Sequence, residues 1–233
     1  MIKRIAIINQ STVLTAADVQ KMTAACNMQL TRDVAPAWGK STLPVTFYSN
    51  PNLIPVNAAR IYIYDDSDQA GALGYHTVSG NSPWGTVFAK TILDYGCAKL
   101  YKAADSSLTT VSSVLSHEAI ELLVNPYVSL WSDGPVVNEG SEYAYEACDP
   151  VEANVYQIKV PGQGPVSVSN FVFPEYFNGS VIPGTRLDHL GLLSTPFTMT
   201  DYGYMIIRNN TGNESAIYGS KYPEVLKTIN KGI

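Results

Sequence analysis

Charge is scarce in this chain. Asp, Glu, Lys and Arg make up 15% of its 233 residues, against about 25% in an ordinary soluble domain. There is no basic stripe, and 15 Lys and Arg are outnumbered by 20 Asp and Glu, for a net charge of -5. Such a balance argues against nucleic acid as the main partner. No apolar run approaches the roughly 18 residues that a membrane-spanning helix needs, so no membrane partner is expected. The opening residues, MIKRIAIINQSTVLT, carry a short alternating apolar stretch without a small-residue cleavage pattern. They read as a first strand and not as a signal peptide. Cysteine is also rare. Cys26, Cys97 and Cys148 are odd in number and widely spaced, which fits free thiols in a reducing, cytoplasmic compartment better than a disulfide framework. The N-x-[ST] triplets at Asn9, Asn178, Asn209 and Asn213 then read as chance matches.

What is present is a globular composition. Hydrophobic residues are 45% of the chain, with 15 Tyr, enough to bury a core without staples. One domain over 1–233 is expected, with a first part at 1–126 and an acidic, β-rich part at 127–233. Residues 2–8 alternate as a strand does. Thr15 and Asp18 are spaced as a capping box, and Val19, Met22, Cys26 and Leu30 recur at helical spacing, predicting a helix over about 16–31. Strands are expected at 45–49, 60–64, 73–78 and 86–92, the last two joined as a hairpin by Gly80-Asn81-Ser82-Pro83. Residues 106–126 read as a helix capped by Ser106 or Ser107 and stopped at Pro126. Its first half is rich in Ser, Thr and Val, which are weak helix formers. Tertiary packing must hold it, so it belongs in the core. Residues 127–152 look irregular. A hairpin follows in VYQIKV-PGQG-PVSVSNFVF, then loops over 174–202, a strand at 202–208, a turn at Asn209 to Asn213, and a short helix after Pro223. The order is mixed α+β.

The chemistry-bearing run is Ser116-His117-Glu118-Ala119-Ile120-Glu121. On a helix His117 and Glu121 project from one face, and Glu118 flanks it. That is the geometry of the H-E-x-x-H metallopeptidase helix, with Glu in place of the second His. His117 and Glu121 would hold a metal ion, and Glu118 would activate a metal-bound water. An exposed helix face carrying two acids and a His is the plainer alternative. Charge distribution favours the metal. Between Lys102 and Lys159 there is no Lys or Arg, while nine acids fall there: Asp105, Glu118, Glu121, Asp133, Glu139, Glu142, Glu146, Asp149 and Glu152. The window carries -9 and the rest of the chain +4, which sum to -5. Nine acids without an internal cation repel one another unless solvated or neutralised, and a divalent ion is a natural counter-charge.

A third metal ligand is expected from Glu146 or Asp149, the other orienting a ligand from behind. Cys148 between them is a soft ligand or simply a buried thiol. His76 and His189 are further candidates, each weighed against a structural role. Tyr143, Tyr145 and Tyr202 are candidate oxyanion donors.

LSHEAIELLVNP, YEACDPVE, VSVSNFVFPEYF and DHLGLLSTPF, with DDSDQAGALGYH upstream, resemble an uncharacterised zincin-like (HExxE-type) metallopeptidase family of bacteria and tailed phages. The resemblance covers most of residues 16–208. It implies an α+β, zincin-like fold, with a mixed sheet packed on a central active-site helix and a β-rich C-terminal part. The strand bearing His76 would border the substrate cleft. By position, His117 and Glu121 match the helix ligands, Glu118 the catalytic acid/base, and Glu146 with Asp149 the downstream acidic motif. The expected activity is zinc-dependent hydrolysis of a peptide or amide, another divalent metal being an alternative. The second carboxylate in place of His makes the site harder and more anionic and weakens water activation. Two other classes compete. One is a non-catalytic phage virion protein that keeps the fold and assembles with other virion proteins. The other is a binding module whose acids hold Ca²⁺.

Overall fold

The computed structural model describes residues 2–69, 72–102, 109–135 and 140–223. The first half forms β1 (Arg4–Asn9), α1 (Ala16–Gln29), the single turn α2 (Ala35–Ala37), β2 (Val45–Phe47), β3 (Ala58–Tyr64), β4 (Gly74–Ser79), β5 (Ser82–Phe88), α3 (Ala89–Asp94) and α4 (Val111–Val124). A π-helical stretch, Leu30–Val34, joins α1 to α2. The second half forms β6 (Trp131–Asp133), β7 (Glu142–Ala144), β8 (Val155–Val160), β9 (Gly164–Ser169), β10 (Tyr204–Arg208) and β11 (Glu214–Tyr218). The architecture is mixed α+β.

The first sheet has the order β2-β1-β3-β5-β4. Strands β1, β2, β3 and β5 run parallel, and β4 pairs antiparallel to β5 at the edge. In β3 the residues Ala59, Ile61 and Ile63 are buried and alternate with more exposed neighbours, as the two-residue period of a strand requires. The β4–β5 hairpin closes on Gly80-Asn81, with Gly80 at φ 58°, which suits the first position of a II′ turn. Ser82 and Pro83 already belong to β5.

The expected strand at 86–92 stops at Phe88. Residues 89–94 coil into α3 because the Asp65 carbonyl accepts the backbone N–H of Lys90 and Thr91, satisfying donors that a helix start leaves open. The predicted capping box of α1 is present, Thr15 and Asp18 exchanging hydrogen bonds. Ser106 and Ser107, expected to cap the second long helix, lie outside the described residues, as do Asp105 and Glu139. The cap is Thr110, whose hydroxyl accepts from Ser113 N at 3.0 Å.

The stretch 127–152 is not wholly irregular. It contributes β6 and β7 to an antiparallel sheet of order β11-β10-β7-β6. β7 pairs with β10, some 60 residues away in sequence, and β6 pairs with β7, so no local pattern announces these three-residue strands. β11 was not anticipated either. It folds back on β10 across the expected turn at Asn209 to Asn213. The β8–β9 hairpin forms as read, but β9 ends at Ser169, and beyond it Val172 makes only a single bridge to Asp188. The helix expected after Pro223 lies outside the described residues.

All fourteen residues of α4 are buried. It packs on β5, β4 and β3 on one side, and on β9 and α1 on the other. Its apolar residues join Ile5, Ile7, Ile61, Ile63 and Val87 in one hydrophobic cluster that also takes in Cys148, Phe171 and Tyr222. Each such Leu, Ile or Val removed from water contributes roughly 1.5–3 kcal/mol, which outweighs a few tenths per residue of poor propensity. The helix's serines are partnered from outside. Ser112 Oγ donates to Ser167 O at 2.7 Å, and Ser116 Oγ accepts from Ser169 N at 2.8 Å. The three cysteines form no disulfide. Among the described residues no helix is long and apolar enough to cross a membrane.

Candidate metal centre

α4 runs beneath the edge strand β4, and the turn carrying Glu146 to Val151 closes the far side. Between them lies a cavity of about 320 Å³, lined by His76, His117, Glu118, Glu121, Glu146, Asp149 and Glu152, among others. Helical spacing sets His117 Nε2 3.1 Å from Glu121 Oε2. Asp149 Oδ1 reaches the same nitrogen at 3.0 Å. The expected quartet of His117, Glu121, Glu146 and Asp149 therefore shares one cavity.

Within it, however, the residues sort differently from the sequence expectation. Glu146 lies beside His76, at 3.8 Å from Nε2, while Asp149 serves His117. His76 Nδ1 is 3.3 Å from Glu121 Oε2 and 3.8 Å from Glu118 Oε2. A strand histidine weighed against a structural role is thus part of the cluster, as its position on the cleft-edge strand allows.

His189 is not. It stacks on Tyr156 and Phe171, with ring centroids 4.4 and 5.2 Å away, so it serves packing. The three tyrosines also fall elsewhere. Tyr145 stacks on Phe177 at 4.1 Å, Tyr143 packs on Phe197 at 4.8 Å, and Tyr202 does not line the cavity. Tyr75, Tyr204 and Tyr222 line it instead. Their signal, a hydroxyl on a strand or loop far along the chain, is too common to read from sequence.

Supporting contacts orient the acids. Cys148 N donates to Glu121 Oε1 at 3.1 Å, which leaves Oε2 for the imidazoles. Asn125, at the end of α4, does several jobs. Its carbonyl lies 3.2 Å from His76 Nε2, its Nδ2 donates to Glu146 Oε1 at 3.4 Å, and its Oδ1 accepts from Ser129 N and Leu130 N. Sequence reading saw Asn125 only as a helix terminus. Cys148 Sγ donates to His117 O at 4.0 Å, and burial pushes its thiol well above the usual range. Its Sγ also lies within 4.8 Å of ligand atoms of His117 and Glu121, so both of its expected fates, buried thiol and soft ligand, stay open.

Gly74 is a packing requirement of the site. A Cβ there would sit 2.8 Å from Glu118 Oε1, Thr86 O and Val114 Cγ1. Gly74→Ala should therefore destabilise the fold by about 1–3 kcal/mol, the usual cost of overpacking, as read by urea unfolding at fixed metal content. Stability equal to wild type would show that α4 and β4 are not held this closely.

The electrostatics follow from burial. Burial raises the Glu118 carboxyl to about 8, Glu152 to about 7 and Asp149 to about 6, and holds Glu146 well above its usual value. Glu121 goes the other way. Burial would raise it, but His117 and His76 beside it keep it ionised below the ordinary range. Burial also opposes charge on both histidines, yet the surrounding acids win. His76 rises to about 10, mainly through Glu146 and Glu121, and His117 rises well above its usual value, mainly through Glu121. Among the described residues that line the cavity, protons on the histidines and carboxyls are thus the counter-charge.

The donor set fits a divalent ion. Atoms bound at 2.0–2.2 Å to one tetrahedral ion lie about 3.3–3.5 Å apart, close to the separations above. Glu118 Oε2 and Glu146 Oε2 are buried with no hydrogen-bond partner, whereas Asp149 Oδ1 meets His117 Nε2. Such orphaned atoms are costly unless an ion meets them. Compared with protein-family models, with curated proteins and with solved structures, the chain matches none.

Proposed function

We propose that this chain is a divalent-metal-dependent hydrolase of the zincin-like type, acting on a peptide or amide bond. The observation that carries the reading is the pairing of His117 and Glu121 on buried α4 with Asp149 from the far wall, inside a cavity that β4 borders. His117, Glu121 and Asp149 would hold the ion, with zinc as the expected ion and another divalent metal as the alternative that the second carboxylate allows. A bound ion there supplies Lewis acidity and makes water acidic near neutral pH. Glu118 then has one task. It lies about 100° round the helix from His117, so Oε2 faces the cavity without joining the ligands, and it takes the proton of the attacking water. Tyr204, which lines the same cavity, favours the ionised form of Asp149.

Metal content and turnover measured together test this reading. Purified protein should contain zinc, or take it up after chelation, at one equivalent or more. It should cleave members of a peptide library, lose that activity to a chelator and regain it with zinc. Protein that binds no divalent ion, or whose turnover ignores the chelator, overturns the proposal. A bound ion without any turnover would favour the non-catalytic assembly protein.

A further inference from the structure

We propose a second divalent-cation position, held by His76, Glu121 and Glu146, so that Glu121 bridges two ions. This rests on the metal reading above and extends it from one ion to a pair. The buried ligand atoms fall into two sets, each with atoms within 4.8 Å of one another. One joins His117 and Glu121 with Cys148, and the other joins His76 and Glu121 with Glu146. The sets share Glu121 alone. Its Oε2 lies 3.1 Å from His117 Nε2 on one side and 3.3 Å from His76 Nδ1 on the other.

The orientation of His76 is compatible with the second position. The Asn125 carbonyl can only accept, so at 3.2 Å it calls for the proton of His76 on Nε2. A backbone carbonyl behind a ring nitrogen is how ligand histidines are oriented. Nδ1 then faces the carboxylate oxygens of Glu121 and Glu118, at 3.3 and 3.8 Å, where either a proton or a metal ion can lie between them. In the metal-free protein the proton fills that place, and a divalent ion would take it over on binding. Glu146 adds a second sign. It is 6% exposed, its Oε1 is met by Asn125 at 3.4 Å, and its Oε2 has no hydrogen-bond partner. Carboxylate-bridged ions stand about 3.5–4 Å apart in two-metal hydrolytic sites.

Equilibrium dialysis of metal-free protein against zinc, with elemental analysis, reads the number of ions directly. Manganese loading adds a spectroscopic readout, since two coupled ions give an exchange-coupled electron-spin signal. Wild type is expected to bind two ions per chain and to show the coupled signal. His76→Ala should bind one ion and lose the coupling. Glu146→Gln keeps the shape and the Asn125 contact, and should weaken the second ion by at least about tenfold, which covers the case where His76→Ala does not fold. One ion in wild type, lost in His117→Ala and kept in His76→Ala, overturns the second position but leaves the first. One ion lost in both variants also overturns it, in favour of a single site using both histidines. No ion in wild type overturns both readings.

Discussion

Glu118→Gln leaves fold and metal content unchanged and lowers peptide turnover by about 10²–10⁴-fold, the usual contribution of a positioned general base. Its shape is kept, so the close packing of Oε1 against Gly74 is preserved. Its fold should not suffer, because burial already holds Glu118 protonated up to about 8 when no cation is present, and a neutral amide resembles that state. The loss is confined to chemistry, because an amide cannot take a proton from water. Paired measurement decides the matter: zinc per chain and turnover on the same preparations. Turnover equal to wild type removes Glu118 from the mechanism. Loss of zinc along with turnover would instead make Glu118 a ligand.

His117→Ala should abolish binding at the first ion position and destabilise the metal-free protein by about 3–5 kcal/mol at pH 7. That is the usual cost of leaving one partner of a buried ion pair alone. The sign with pH follows from the two shifts. His117 is raised on folding, so its contribution is complete below its ordinary value of about 6.5 and fades as pH rises through the raised one. Glu121 is lowered, so its contribution is present above its ordinary value of about 4.5 and is lost as pH falls through the lowered one. The pair therefore counts most between those limits. In the variant Glu121 lacks its main counter-charge and takes up a proton more readily. The stability gap between wild type and variant should be widest between about pH 4.5 and 6.5 and should narrow on acidification below about 4.5. Urea unfolding of both metal-free proteins at about pH 5.5 and about pH 3 reads it. A gap independent of pH would mean that His117 stabilises by packing alone.

Local chemistry made much of this molecule legible. The capping box at Thr15 and Asp18, the strand within 58–64 and the β4–β5 hairpin depend on neighbours a few residues apart; all three formed, the hairpin with its turn tightened to Gly80-Asn81 and its second strand shifted to Ser82–Phe88. The His117-Glu121 pairing is of the same kind, because helical pitch alone brings residues four apart together. Elements built on distant partners were not legible. β6 and β7 are strands because β10 and each other supply their hydrogen bonds. Residues 89–92 became helix because a carbonyl from Asp65 caps them. The tyrosines were misplaced for the same reason, since which hydroxyl meets a cavity depends on how the far sheet closes.

The sequence by itself determined that a helix would carry His117, Glu118 and Glu121 on adjoining faces, and that nine acids without a cation would need counter-charge. Only the tertiary structure decided how those acids divide. It placed Asp149 against His117, and set Glu146 with His76 on the other side of Glu121. Spacing along a chain specifies contacts within one helix turn. Which strand edge and which loop face that helix is decided by packing, here by the burial of α4 between the sheet and β9. That packing carried a strand histidine, 41 residues upstream of His117, to 3.3 Å from the shared carboxylate.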